Sequence, residues 1–314
     1  YEIPLRLVGS EMCIRDSNLM IKIMKRDFFF GIVFIFLLSS CVEMSTTLEL
    51  DSLTDPSETV FNATTETEPY TRTSLSGYTN ADGCYSLYWS SGDEISISDG
   101  NKSAVYVTND DYSSIAEFSH KEGSINNSAA TYTAFYPSSI TASNMVLPST
   151  QIYVENNVKN FPMYAVSTNK ELAFKNLCGI IRLCIKAKES GEINISSIGL
   201  SSNKGMSGTF TIGEDNSAIV SGTDGVVLNC AEAHSLYISS ATDFNIVVPQ
   251  GDFNSLKVKI CDTDGKEINF ESEGTISVKR SEITRINLTI SKSDFNTSLE
   301  TIPITDSDVE FTER

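Results

Sequence analysis

The chain has 314 residues, of which 40% are hydrophobic, so it can bury a real core and is too apolar for a disordered polymer. Its 41 acidic and 23 basic residues give a formal net charge of −18. This disfavours a nucleic-acid partner, because phosphates are bound by clustered Lys and Arg. Two histidines leave little material for a zinc site or a His-based triad. We therefore expect no nucleic acid, no metal, no cofactor and no enzymatic activity.

The first 40 residues are not expected to belong to the fold. Residues 6–17 resemble translated adaptor sequence, so we treat residues 1–17 as a non-native leader. Residues 18–40 are organised as a bacterial export signal, with basic residues ahead of an apolar run from Phe28 to Leu38. That run is about half of the roughly 20 residues that a bilayer-spanning helix needs.

The export signal ends in a lipobox-like sequence, Leu38-Ser39-Ser40-Cys41. Small residues ahead of a cysteine suit the lipoprotein signal peptidase, which predicts Cys41 as the lipidated first residue of the mature chain. Acyl chains on one residue hold a protein on a membrane, and Val42 fits retention in the outer membrane. The alternatives are an ordinary secretory signal with a chance cysteine, or an uncleaved anchor.

Residues 41–71 precede the strand-rich part of the chain. Positions 42–71 contain seven acidic residues and no Lys or Arg, with many Thr and Ser. This composition predicts an acidic linker or a weakly held, removable leading strand around Val60-Phe61. Arg72 is the first basic residue after the lipobox cysteine.

Short strand signals separated by turns continue from residue 72 to about residue 290. No stretch has a convincing helical period, and Asp264-Gly265 between two apolar runs predicts a hairpin. The spacing predicts an all-β protein built from antiparallel sandwiches. Apolar and polar residues alternate strictly, as in half-buried strands, in segments 94–98, 256–260, 276–278 and 286–290.

The strand-rich part is longer than one ordinary sandwich, and it divides best near residue 165. Pro148 and Pro162 flank an irregular connection there. We therefore predict one sandwich over 72–165, a second over 166–291 and a tail over 292–314. An odd number of cysteines cannot all pair, so buried thiols are expected at Cys84, Cys178, Cys184, Cys230 and Cys261.

Seven short segments, taken in order, carry a family resemblance over about residues 70–290. They are Trp89-Ser90-Ser91-Gly92-Asp93-Glu94-Ile95, Tyr132-Thr133-Ala134-Phe135-Tyr136-Pro137, Leu147-Pro148-Ser149-Thr150-Gln151-Ile152-Tyr153, Pro162-Met163, Phe174-Lys175-Asn176-Leu177-Cys178-Gly179, Ser207-Gly208-Thr209-Phe210 and Phe244-Asn245-Ile246-Val247-Val248-Pro249. This ordered set behind a lipobox resembles the Bacteroidales fimbrillins, which are subunits or accessory lipoproteins of type V pili. The landmarks also have a packing interpretation, since Trp89 can close one end of a core.

The resemblance implies two transthyretin-like β-sandwich domains in tandem behind a lipoprotein signal peptide. In pilus-forming members an arginine-specific protease removes the leading segment, and a strand from a neighbouring subunit fills the groove that it leaves. Arg72 is the candidate processing site here, with an ordinary exposed or strand arginine as the alternative. The candidate donor strand is the tail, through Leu299, Ile302, Ile304, Val309 and Phe311, and a frayed or truncated end is the alternative.

The resemblance favours a non-enzymatic, structural or adhesive lipoprotein on the outer membrane and cell surface. Its implied partners are other fimbrial subunits, the membrane through the lipid anchor, and a host protein or glycan. A surface glycan-binding lipoprotein of the same build is the first alternative, and a secreted hydrolase with unrecognised carboxylates is the second. The first would need exposed aromatic rings in pairs, and the second two carboxylates facing each other across a cleft.

Overall fold

The computed structural model describes residues 59–66, 88–155, 157–237, 240–296 and 301–311. In these ranges the regular structure consists of short β-strands and two 3₁₀ helices, at Lys292–Asn296 and Asp306–Asp308. The prediction of an all-β fold is confirmed. The predicted hairpin at Asp264-Gly265 is also confirmed, because it joins two antiparallel strands and Gly265 has a φ of 78°.

Ten strands lie in the first half of the described chain. They are β1 (Val60–Thr64), β2 (Glu94–Ser98), β3 (Ser103–Thr108), β4 (Ile115–Gly123), β5 (Tyr132–Tyr136), β6 (Val146–Leu147), β7 (Thr150–Ile152), β8 (Met163–Ser167), β9 (Glu171–Ala173) and β10 (Lys175–Asn176).

Thirteen strands follow in the described second half. They are β11 (Cys178–Ala187), β12 (Asn194–Ser201), β13 (Gly208–Ile212), β14 (Ala218–Val220), β15 (Val226–Ser235), β16 (Thr242–Pro249), β17 (Gly251–Asn254), β18 (Lys257–Asp262), β19 (Glu267–Ser272), β20 (Thr275–Val278), β21 (Ile283–Ile290), β22 (Thr301–Ile304) and β23 (Val309–Phe311). The four segments with strict alternation correspond to β2, β18, β20 and β21.

Eight strands form one sheet in the order β10-β8-β5-β2-β3-β4-β1-β9. Strands β9 and β10 are separated in the chain by Phe174 alone, yet they stand at opposite ends of that order. The sheet therefore closes on itself, since β9 pairs with β1 and β10 pairs with β8. The first hydrophobic core includes Phe61, Trp89 and Phe118 from this part of the chain.

Two further sheets form a sandwich around the second hydrophobic core. One is four-stranded, in the order β16-β11-β21-β23, and the other is six-stranded, in the order β22-β19-β18-β12-β15-β7. Both contribute alternate apolar side chains to that core, as half-buried strands should. Smaller sheets, β14-β13-β6 and β17-β20, complete the pairing in the described residues.

Strand β11 contributes side chains to both cores. It pairs with β16 on one side and β21 on the other, and nine of its ten residues are buried. Cys178 and Ile180 belong to the first core, whereas Ile181, Leu183 and Ile185 belong to the second. The described residues all lie within one compact unit, and the division near residue 165 stays a prediction.

The tail strands lie at sheet edges of their own chain. Strand β22 pairs in parallel with β19, and β23 pairs antiparallel with β21. Ile304 is buried, and Ile302 and Val309 are half-buried against the second core. The tail therefore closes one side of the sandwich in this state.

The other side of the sandwich is closed by a side chain. Strand β16 stands at the edge of its sheet, and Gln151 forms a two-bond amide pair with the backbone of Val247. Its Nε2 donates to the Val247 carbonyl oxygen at 2.7 Å, and the Val247 N–H donates to its Oε1 at 2.9 Å. Gln151 thus stands in for a neighbouring strand and blocks an edge that could pair with another chain.

We expect Gln151→Met to lower the free energy of unfolding by about 1–3 kcal/mol, because the Val247 peptide group loses both partners. Urea denaturation of the purified chain would measure the change. Lys159→Met is the matched control, since Lys159 is exposed beside Gln151 and should change stability by less than about 0.5 kcal/mol. Equal stabilities of the two variants would contradict the edge-blocking role.

Four cysteines lie in the described residues, and all are free thiols. Cys178, Cys184 and Cys230 are buried, and burial raises the pKa of Cys184 to about 12 and that of Cys230 to about 11. Cys84 lies outside the described residues. No helix in the described ranges is long and apolar enough to cross a membrane.

Candidate functional site: the slot of the leading strand

Strand β1 occupies a slot between two other strands of the closed sheet. It pairs antiparallel with β4 over all five of its residues and in parallel with β9 over three. The Asn62 N–H donates to the Lys170 carbonyl oxygen at 3.0 Å, and the Phe174 N–H donates to the Thr64 carbonyl oxygen at 2.9 Å. Within the described residues 59–66, the leading segment therefore forms a strand that is paired on both of its edges.

The inward side chains of β1 are part of the first core. Phe61 and Ala63 are fully buried, and the Phe61 ring meets Tyr106 and Tyr132 edge-on at centroid distances of 5.0 and 5.1 Å. Burying a phenylalanine of this kind stabilises a fold by about 3–5 kcal/mol relative to alanine. The slot thus accommodates the apolar side chains at alternate positions of β1.

Trp89 closes the slot at the end where β1 finishes. Its ring is fully buried, and its Nε1 donates to the carbonyl oxygen of Ala63 at 3.1 Å. It meets the rings of Phe118, Tyr136 and Phe174 edge-on at 5.0–5.4 Å, a favourable aromatic geometry. The prediction that Trp89 closes one end of a core is confirmed.

Asp93, near Trp89, hydrogen-bonds to residues of two sequence landmarks, the segment that begins at Trp89 and the segment that begins at Tyr132. Its Oδ2 accepts the Ser90 N–H at 2.8 Å, and its Oδ1 accepts the Tyr136 hydroxyl at 2.8 Å. Burial, together with the charge of Asp93, raises the pKa of Tyr136 well above its usual value. The phenol therefore keeps its proton and remains the donor.

Glu66 follows β1 and is anchored by residues far away in the chain. Its side chain is only 4% exposed, and its Oε2 lies 2.5 Å from Arg280 Nη1 and accepts the Asn176 N–H at 2.9 Å. Lys175 Nζ lies 3.5 Å from its Oε1. Burial would raise the pKa of Glu66, but these hydrogen bonds and positive charges hold it below its usual value. The carboxylate is therefore ionised at neutral pH, and its stabilising contribution is lost only in acid.

The turn that carries Arg280 packs against the landmark segment from Phe174 to Gly179 and is hydrogen-bonded to it. The Asn176 Nδ2 donates to Ser281 Oγ at 3.0 Å, and the Ser281 N–H donates to the Cys178 carbonyl oxygen at 2.9 Å. A Cβ at Gly179 would clash with the Lys279 carbonyl oxygen, so only glycine lets this turn approach. The landmark segment from Asn176 to Gly179 therefore holds this turn by close backbone approach.

The predicted site residues fall in different places. Cys41, Arg72 and Leu299 lie outside the described residues. Ile302 and Ile304 are in β22, and Val309 and Phe311 are in β23, so the structure places the described tail residues on edges of the second sandwich. The structure does not bring them to the slot of β1 in the same chain.

Sequence reasoning missed Glu66 and Arg280 as a site. They are 214 positions apart, and neither stands in a motif. One signal was available, because Glu66 lies in a stretch without any basic residue and follows an alternating apolar pair. A buried acid there needs a distant cation, but the sequence does not say which one.

An apolar cavity of about 360 Å³ lies beside the irregular connection. It is lined by Pro137, Ile140, Val146, Leu147, Pro148 and Ile152, among others. Tyr112 and Tyr237 are the most exposed tyrosines of the described residues, and neither of them lines this cavity. No group of three or more His, Cys, Asp or Glu side chains in the described ranges is placed to hold a metal ion.

No family model and no curated protein matches the chain. The chain is similar in structure to cell adhesion and fimbrial proteins of Bacteroides and Porphyromonas. A candidate cell adhesion protein from Bacteroides ovatus aligns over 80% of this chain and 95% of its own, with 13% identity and a TM-score of 0.48. One from Bacteroides uniformis aligns over 75% and 94%, with 16% identity and a TM-score of 0.45.

The tip fimbrial protein Mfa3 from Porphyromonas gingivalis is a third similar structure. It aligns over 63% of this chain and 88% of its own, with 8% identity and a TM-score of 0.31. Two of these three proteins are described as cell adhesion proteins and one as a tip fimbrial protein.

Proposed function

We propose that this protein is a cell-surface, fimbrillin-type lipoprotein that serves as a structural or adhesive fimbrial component and assembles by exchange of its leading strand. The observation that carries the proposal is the position of β1. It is paired on both edges and buried in a core, yet it precedes the only basic residue between Cys41 and Lys102. A cut after Arg72 would leave β1 held by non-covalent contacts alone.

The slot suits a replacement strand from a second copy. Once β1 has left, β4 and β9 would offer unpaired N–H and C=O groups, and pockets for two alternate apolar side chains would be open. The tail offers two such pairs, Ile302 with Ile304 and Val309 with Phe311. Pro303 between the first pair costs one ladder hydrogen bond, which an inserted strand tolerates.

The surroundings of the protein follow from its export signal. Lipidation at Cys41 would hold the mature chain on the outer membrane, with other fimbrial subunits as its partners and a host protein or glycan as an adhesion ligand. Its charge of −18 keeps such a surface soluble and away from polyanions. The role is binding and assembly without a catalytic step.

Arginine-specific proteolysis of purified residues 42–314 tests the proposal. We expect one early cut after Arg72, identified by mass spectrometry, followed by a ladder of oligomers that resist sodium dodecyl sulfate. Arg72→Gln is the control, which should stay uncut and monomeric under the same conditions. A clean cut after Arg72 that leaves only monomers would rule out assembly by strand exchange.

A further inference from the structure

The end of the leading strand is held by an ion pair that joins the two halves of the described chain. Glu66 stands two residues after β1, whereas Arg280 stands in the turn between β20 and β21. Both are shielded, with side-chain exposures of 4% and 20%. An ion pair in such a place is screened by salt much less than a surface pair is.

The pair is built into a network rather than formed by chance. Arg280 Nη1 also donates to the Asn176 carbonyl oxygen at 3.1 Å, and the Asn176 N–H donates to the same Glu66 oxygen that Arg280 binds. The Arg280 N–H donates to Gln250 Oε1 at 3.0 Å, which holds the turn from its other side. Each member of the ion pair is therefore also positioned by a second contact.

We propose that the Glu66–Arg280 pair is a lock that retains the leading strand in its slot after the chain has been cut downstream. The inference rests on the proposed strand exchange and adds a control to it. The core contacts of Phe61 and Ala63 hold the middle of β1, while the lock holds its end to a turn of the second half. Release of β1 then depends on opening a buried ion pair, so the slot stays filled until a replacement strand competes for it.

Breaking one member of a buried pair is costly because the other charge is left without a partner. Glu66→Gln removes the anion and leaves Arg280 facing a neutral amide. We therefore expect a cut chain with this change to release its leading fragment faster. Lys175 is 46% exposed and 3.5 Å away, so Lys175→Met should have a much smaller effect.

The test uses the whole chain with a recognition sequence for an unrelated protease inserted between Gly77 and Tyr78. After cutting, size-exclusion chromatography with mass spectrometry follows the loss of the leading fragment over time. We expect Glu66→Gln and Arg280→Met each to accelerate release by about tenfold or more, and the double variant to be no faster than the faster single one. Thermal melting of the uncut variants confirms that each one folds.

Glu94→Gln is the matched control, because it breaks an exposed ion pair with Lys121 on the same sheet. It should release the fragment within about twofold of the unmodified chain. Arg280→Lys keeps the charge but loses the planar fork, and it should fall between the unmodified chain and Arg280→Met. This variant keeps the test decisive if Glu66→Gln does not fold.

Release from Glu66→Gln at the rate of Glu94→Gln would overturn the lock, and so would single effects that simply multiply in the double variant. The inserted site makes this result independent of Arg72 and of oligomer formation. If the variants release the fragment faster but arginine-specific cutting gives no oligomer ladder, the lock is supported and the proposed assembly by strand exchange is wrong. If the oligomer ladder forms but the Glu66 and Arg280 variants release the fragment at the unmodified rate, only the lock is overturned.

Discussion

Replacing Gly179 by alanine is expected to lower the free energy of unfolding by about 3 kcal/mol or more. An added Cβ would clash with the Lys279 carbonyl oxygen and come within 2.7 Å of Val278 Cγ1. Backbone cannot move aside as a flexible side chain can, so the turn that carries Arg280 would be displaced. Chemical denaturation of the purified chain measures the loss.

Gly199→Ala is the matched control for this substitution. Gly199 also lies within a strand, but the nearest atom to an added Cβ is 3.9 Å away. The free energy of unfolding of Gly199→Ala should change by less than about 0.5 kcal/mol. A slight rise is possible because alanine loses less backbone entropy than glycine on folding. If Gly179→Ala is as stable as Gly199→Ala, the turn that carries Arg280 does not need to approach the backbone of residue 179 closely.

Replacing Trp89 by leucine is expected to cost about 3–5 kcal/mol. The change removes a fully buried ring, its edge contacts with three aromatic neighbours, and the hydrogen bond from Nε1 to the Ala63 carbonyl oxygen. Trp89→Phe keeps part of the ring packing but loses the Nε1 donor, so it should destabilise the fold less than Trp89→Leu does. The difference between the two variants separates the packing contribution from that of the hydrogen bond. Tyr112→Leu, at a residue that is 69% exposed, is the control and should be nearly neutral.

Trp89 is also the single tryptophan of the chain, so its fluorescence reports on the slot. If β1 leaves, the indole loses its acceptor at Ala63 and meets water, and its emission should shift to longer wavelength. A cut chain that releases its leading fragment without any shift would mean that Trp89 does not seal the slot.

The sequence alone was sufficient for the fold class and for many of the strands. Period-two alternation is a local property, because successive side chains of a strand point to opposite faces whatever the strand pairs with. The alternating segments that became β2, β18, β20 and β21 therefore could be recognised without any tertiary information. The Asp-Gly turn between β18 and β19 was equally local, because its positive φ is a property of glycine.

The order of strands in the sheets could not be derived in the same way. The pairing of β1 with β9 joins residues more than one hundred positions apart, and nothing local in either segment names the other. The same holds for Gln151, which was visible as a landmark but whose partner is the backbone of Val247. A backbone N–H or C=O group has no sequence signature, so a side chain that binds one gives no clue to its position.

The sequence by itself determined an acidic, all-β chain with a single arginine, Arg72, between Cys41 and Lys102, and it predicted an export signal at the N-terminal side. Only the tertiary structure decided that Trp89, Tyr136 and Phe174 meet at the end of β1. It also placed the described tail strands on their own sandwich and Glu66 beside Arg280. The physical reason is the range of the interactions. Periodicity and turn chemistry act over a few residues, whereas the placement of a buried charge depends on which distant cation the folded sheets bring to it.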